Sequence, residues 1–296
     1  MNEGRSPDTN FRREIESALC CLIDAQKPEI RQAVLARLLD IIPFGHHPLA
    51  YIENVSDASA RAALRENYCA LLNDMKLRHD LKSVMKSSGS DIDLEAGAYL
   101  ISRLGSDISL TPESFRADLD ALAAPLRDRL EGSPEDPLER LEIFRHYMFT
   151  EIGFRGNTEK YGDPSNSFVT NVLQEKKGIP VSLSVVCLLI AQRVKLPLSG
   201  VNLPGHFILK YASGDSSVFI DPFNEGNTLT EQDCFHILIR QGLEPAAGYL
   251  ARATALTIVK RMYRNLINYH SRSGDAKMEK MLRQHFSILE NFQVTS

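Results

Sequence analysis

Residues 178–197, GIPVSLSVVCLLIAQRVKLP, restrict what this chain can fold into more than any other stretch. From Pro180 to Val194 the apolar residues fall on every side of a helical projection, and a helix apolar all round has no face to offer water. The run VVCLLIA is far shorter than the roughly 20 residues that span a bilayer. Such a helix must therefore be wrapped by protein. Pro180, with its fixed φ and missing N–H, suits the first helical turn. A central helix from Pro180 to Val194, surrounded by other elements, is the first expectation.

Residues 201–223, VNLPGHFILKYASGDSSVFIDPF, follow it. Phe207, Ile208, Leu209 and Tyr211 form one strand-like run, and Val218, Phe219 and Ile220 a second. Gly214 between them suggests a hairpin with a two-residue loop, Ser213 and Gly214. Antiparallel partners then have numbers summing to 427, which sets His206 opposite Asp221 with Cβ atoms about 5 Å apart. A one-residue slip would send them to opposite faces. A carboxylate there can orient an imidazole base; equally, the two can be a core histidine and a turn-capping aspartate. Pro204 and Gly205 set the turn before His206, and Pro222 ends the second strand.

Composition narrows the setting. The chain has 296 residues, 43% hydrophobic, enough for one large or two modest cores. Lys and Arg number 34 against 38 Asp and Glu, so no basic surplus points to nucleic acid or an anionic membrane. The start, MNEGRSPDTNFRREIE, lacks the apolar stretch of a signal peptide. Five scattered cysteines argue against a disulfide framework and for a reducing compartment, with the cytoplasm expected. No cysteine spacing suits a metal, and no phosphate or dinucleotide fingerprint appears, so no cofactor is expected. His46 and His47 in PFGHHPL are adjacent loop residues without a nearby third ligand.

Around this centre the pattern is helical. Residues 10–86 carry stripes such as Ile15, Leu19, Leu22 and Ile23, then Ile30, Val34, Leu35, Leu38 and Leu39. Pro28 opens the second of these helices and Pro43 ends it. KSSGSD, 86–91, reads as a linker. Helices are expected over DLEAGAYLISRL, from Pro112 to Leu130, from Leu138 to Ile152 and from Ser167 to Gln174, where Asn166 or Ser167 suits the N-cap. After 250, Leu256, Val259, Met262, Tyr263, Leu266 and Ile267 give one stripe. Met278, Met281, Leu282, Phe286 and Leu289 give another beyond the turn RSGD.

The run YGDPSNSFVTNVLQEKKGIPVSLSVVCLLIAQRVKLPLSGVNLPGHFILKY, followed by FIDPFNEG, resembles the SirB-type branch of bacterial transglutaminase-like proteins. The stretch VKRMYRNLINYHSRSGDAKMEKMLRQHFSIL looks like the tetratricopeptide-like tail of that branch. The resemblance covers roughly residues 91–290. It implies an α+β, papain-like core: a buried central helix packed on a small antiparallel sheet, flanked by N-terminal and C-terminal helical regions. The division that follows is a helical region over 1–88, a transglutaminase-like core over 89–249 and a helical hairpin over 250–296.

The resemblance also implies a nucleophilic cysteine at the start of the central helix, with His206 and Asp221 supplied by the following sheet. A helix N-terminus favours a thiolate, and its free N–H groups can serve an oxyanion. Here Gly178 matches the expected glycine, but Pro180 stands where the cysteine belongs. Ser182 is the substitute candidate, with His206 as its base. Two residues along a helix is a rotation of about 200°, which counts against it. A first-turn hydroxyl satisfying backbone donors is the alternative. Cys187 lies mid-helix among apolar residues, where burial depresses reactivity; Cys234 has no base arrangement beside it. Tyr161, Asn166, Asn202 and Asn224 are candidates to line a groove. The expected function is a transglutaminase-like protein without its usual nucleophile that binds a peptide or protein partner through this groove and its helical flanks. The alternative is an amide or ester hydrolase or acyl transferase using Ser182, or a water activated by His206 and Asp221. A purely structural adaptor acting through its helical ends is a third reading.

Overall fold

The computed structural model describes residues 7–87, 91–105, 108–133, 136–213 and 216–291. The chain divides into two compact units. The first comprises Met1–Ser83 with Ser106–Pro112, the second Val84–Gly105 with Glu113–Ser296.

The first unit is helical: α1 (Pro7–Asp24), α2 (Pro28–Ile41), α3 (Pro48–Ile52), α4 (Ala58–Asn67) and most of α5 (Cys69–Ser87). Its core gathers Ile15, Leu19 and Leu22 with Leu35, Leu38, Ile52 and Leu72, as the stripes predict. Ile30 departs from its stripe and is 50% exposed, because it lies in the first turn of α2 beyond the packed face. A buried ion pair, Lys76–Asp80 at 2.7 Å, ties the unit together. Lys76 Nζ also donates to Leu39 O, and Asp80 accepts from Gly45 N. Such a pair survives burial only when further hydrogen bonds complete it, as these do. His47 Nδ1 caps α3 by accepting from Leu49 N, and His46 Nδ1 meets the Tyr51 hydroxyl at 3.0 Å.

The second unit begins with α6 (Leu94–Ser102), α7 (Pro112–Glu131) and α8 (Pro137–Arg145), the last running into a π-turn over His146–Glu151. Then come β1 (Arg155–Gly156), α9 (Val169–Glu175), β2 (Lys177–Gly178) and α10 (Pro180–Arg193). Strands β3 (Leu198–Val201), β4 (Ile208–Ser213), β5 (Ser216–Asp221) and β6 (Asn227–Leu229) form one antiparallel sheet in that order, while β1 and β2 pair in parallel. Helices α11 (Glu231–Arg240), α12 (Ala255–Ser273) and α13 (Ala276–Glu290) complete it.

The central helix is as expected. Every residue of α10 from Pro180 to Ala191 is buried, with α6, α9, α12, β3 and β4 packed around it. Each large apolar side chain so buried contributes about 1.5–3 kcal/mol. The hairpin α12–α13 also follows the sequence: Gly274, at φ +77°, ends α12, and Asp275 caps α13.

Three features differ from the reading above. Strands β1, β2, β3 and β6 and helix α11 have no counterpart in the sequence pattern; RG, KG, LSGV and NTL are too short to signal strands by alternation. The short helix starts at Val169, after a 3-10 turn over Pro164–Ser167. Neither Asn166 nor Ser167 caps it; Val169 N donates instead to Ser102 Oγ of α6. The hairpin register pairs Leu209 with Ile220 and Ser213 with Ser216, so partner numbers sum to 429. Ser213 is thus a strand residue, and Gly214 lies outside the described residues, as does the centre of KSSGSD. The shift is two residues, an even number, so it keeps every side chain on its expected face.

Candidate functional site

The site is built at the mouth of the β4–β5 ribbon. Leu203 O accepts from His206 N across a turn whose central residues are Pro204 and Gly205. Gly205 has φ +74°, the left-handed geometry that a type II turn needs at this position. This turn delivers His206 just ahead of β4. Asp221 closes β5 and caps the 3-10 turn Pro222–Asn224, its Oδ1 accepting from Phe223 N at 3.1 Å and Asn224 N at 3.3 Å. Its Oδ2 accepts from His206 Nε2 at 2.8 Å and from Asn224 Nδ2 at 2.7 Å.

The carboxylate is therefore buried and fully satisfied. Burial alone would raise its pKa, but the His206 hydrogen bond and charge, aided by the Asn224 donors, outweigh it and hold the carboxyl below its usual range. An acceptor-only carboxylate requires a proton on Nε2, and Nδ1 meets no partner among the described residues. The ring is 16% exposed. Its edge meets Phe223 at 6.4 Å between centroids, and Phe223 in turn meets Tyr161 at 5.7 Å, both edge to face. The Phe223 ring lies so close over Gly156 that a Cβ there would come within 2.6 Å of it. A cleft of about 400 Å³ opens on this side, with Phe223, Asn157, Asn224 and Asn227 in its lining together with the charged Arg155, Lys177, Glu159 and Glu225.

The structure does not bring Ser182 to the pair. Its side chain is wholly buried. The hydroxyl donates to Asn166 O at 2.5 Å, with Ile179 O also in range, and accepts from Ile179 N at 3.1 Å. That last bond is one half of a capping box, the third helical residue reaching back to the residue before the helix. Its proton and an acceptor lone pair are thus committed to holding the start of α10, the first-turn role that the sequence offers as the alternative to a nucleophile. Pro180 is the first residue of that helix and is buried.

The remaining candidates divide. Asn224 joins Asp221, and Tyr161, 53% exposed, borders the site through Phe223. Asn166 does not face a groove as expected. It is buried, donating to Lys160 O at 2.6 Å and accepting from Asn157 Nδ2 at 2.8 Å, so it braces the 157–166 loop. Asn202 Oδ1 accepts from Arg261 Nη1 of α12 at 3.1 Å. Burial pushes the Cys187 thiol far up. Burial, with Asp233, Glu231 and Asp221 nearby, pushes Cys234 up to about 12. Neither thiol is poised to react. The sequence reading missed Phe223, which stands in the quoted DPF beside Asp221, and Arg261, which has no local signal linking it to a site 55 residues earlier.

A model described as the transglutaminase-like superfamily matches residues 113–264. Among curated relatives, a UPF0162 protein of Pseudomonas aeruginosa is 35% identical over 172 residues, 56% of this chain and 60% of its own. A UPF0162 protein of Xylella fastidiosa is 31% identical over 160 residues, 50% of this chain and 55% of its own. The F-box only protein 21 of Homo sapiens is 27% identical over 156 residues, 50% of this chain and 24% of its own. The chain thus spans about half the length of the first two relatives. No solved structure matches it significantly.

Proposed function

The chain belongs to the transglutaminase-like superfamily, and from that premise we propose that it is a binding member of the SirB-type branch with a tetratricopeptide-like tail. Its groove holds a peptide or protein segment and does not react with it. One observation carries this reading: the His206–Asp221 pair is intact, while the two residues that could have faced it as nucleophile are a proline and a hydroxyl already spent on the helix end. The adjacent cleft supports it. Its asparagines carry the chemistry that pairs with amides: Asn157 and Asn224 keep a second donor hydrogen beyond their bonds to Asn166 and Asp221, and Asn227 shows no side-chain hydrogen bond among the described residues. The helical flanks add interaction surface. The expected setting is the cytoplasm; no described helix is long and apolar enough to cross a membrane.

A second reading rests on the oriented imidazole. With Nε2 held by Asp221, Nδ1 could take a proton from water and drive hydrolysis of an amide or ester, at a gain of about 10²–10⁴-fold from the base alone. Labelling separates covalent chemistry from binding. Wild type and His206→Ala are treated with a fluorophosphonate and, separately, with iodoacetamide, and read by intact mass. No adduct that depends on His206 is expected. An adduct at any serine or cysteine that disappears in the variant would replace the binding reading with an enzyme. Immobilised peptide libraries should be bound by wild type and lost by His206→Ala; if released products appear instead, water-activated hydrolysis is the better account.

A further inference from the structure

Helix α12 reads ALTIVKRMYRNLINYHSRS and holds no acidic residue. Its Lys260, Arg261 and Arg264 fall within two turns. Arg264 lies over the Phe286 ring at 5.2 Å and is exposed. Arg261 is different: it is partly buried, and burial together with the Arg264 charge lowers its guanidinium pKa, although Tyr161 opposes this. Among the described residues its hydrogen bond goes to the neutral Oδ1 of Asn202, and no carboxylate pairs with it. A guanidinium has five N–H donors, and partial desolvation without an anion is unfavourable.

The surroundings of this cation are those of the site. Asn202 directly precedes the Leu203–His206 turn, and Tyr161 lies within electrostatic reach of Arg261. Tyr161, Phe223 and His206 then follow one another by ring contacts. An unpaired guanidinium, a phenol and the His206 imidazole thus lie in succession, and beyond Phe223 lies the cleft, whose lining carries asparagine amides together with Arg155, Lys177, Glu159 and Glu225.

We propose that Arg261 is the carboxylate anchor of this groove, so that the ligand is a peptide segment bearing a carboxylate placed beside His206. The proposal rests on the binding reading above and names the class of its ligand. A planar, singly charged carboxylate suits a lone guanidinium, which can grip it by two parallel N–H bonds. Phosphate would call for further donors or cations beside Arg261, and Arg264, whose charge acts on it, is engaged with Phe286. Asn202 holds the guanidinium in place by its single bond, leaving the other donors for the ligand.

The test uses the full chain and small probes, followed by ¹H–¹⁵N spectra that include the Arg261 Nε–H. N-acetylglycine presents an α-carboxylate, N-acetylglutamate α-amide a side-chain carboxylate, and N-acetylglycinamide neither. At least one of the two carboxylates should shift Arg261 saturably, and which one does identifies the source; the neutral amide should leave it unmoved. Arg261→Gln should weaken that binding about tenfold or more, and Arg261→Lys should restore part of it. If the glutamine variant does not fold, the lysine variant still reports, since loss of the paired geometry weakens binding while charge is kept. Equal shifts from the neutral amide, no shift from either carboxylate, or tighter binding of inorganic phosphate would each overturn the proposal. Movement of the Asn224 and Asn157 amides by N-acetylglycinamide, with Arg261 silent to the carboxylates, would remove this inference and leave the groove reading standing. Silence from every probe at both places would remove both.

Discussion

The Ser182 hydroxyl has one proton and two lone pairs. Asn166 O takes the proton, and Ile179 N occupies a lone pair. Attack on a substrate would need that proton to pass to His206, and none of the serine's bonds leads there. Ser182→Ala should therefore act as a stability mutation: the buried Asn166 O and Ile179 N lose their partner, at about 1–3 kcal/mol. Urea denaturation should show that loss, and a variant as stable as wild type would mean the hydroxyl is not structural. Asp221 carries the second prediction. Its carboxyl is held below the ordinary 3.8 by His206 and Asn224 against the opposing effect of burial. A group depressed on folding contributes stability that is fully present above its unfolded value and lost as pH falls through its native one. Wild type should lose stability between about pH 5 and the native value; Asp221→Asn should be less stable near pH 7 and show a flatter acid limb. Equal slopes in the two proteins would detach Asp221 from the acid response. The pair itself was legible in the sequence because turn chemistry and strand alternation are local. For Ser182 the sequence offers two roles, first-turn hydroxyl and nucleophile, and cannot choose between them, because cap and nucleophile differ only in what lies opposite them.

At the scale of elements, helix ends show where local reading stops. Asp57, Asp93 and Asp136 each cap the helix that follows, by accepting from N–H groups two or three residues on. Those caps could be foreseen from neighbours in the chain. The start of α12 is held both ways. Thr254 accepts from Thr257 N, but Asp91 also accepts from Ala255 N at 2.6 Å and Leu256 N at 3.0 Å, across 164 and 165 residues. Asp91→Ala should cost about 0.5–2 kcal/mol, the range for losing a cap. Hydrogen exchange should rise first at Ala255 and Leu256; unchanged exchange there would mean Thr254 suffices. The sheet repeats the lesson. β4 and β5 announce themselves by apolar alternation, whereas β3 and β6 are strands because β4 and β5 offer them edges.

For the whole molecule, the sequence pattern suggests three regions, 1–88, 89–249 and 250–296, whereas the chain clusters into two compact units that alternate along it. Ser106–Pro112 returns to the first unit after the second has begun. What the sequence by itself determined are the features whose free energy depends on residues a few positions apart. These are the all-round apolar helix that must be covered, the Pro204–Gly205 turn, the stripes of α1, α12 and α13, and the presence of His206 and Asp221 on one ribbon face. That face survived a two-residue error in register because side chains alternate with period two. What only the tertiary structure decided are pairings between distant segments: the hydroxyl of Ser182 spent on Asn166, the cap that Asp91 lends α12, and Arg261 brought beside the turn that carries His206. The physical reason is the same for all three. A hydrogen bond between distant residues forms only once packing of the whole core has closed the loop between them, and no local propensity records which of the possible partners that packing will deliver.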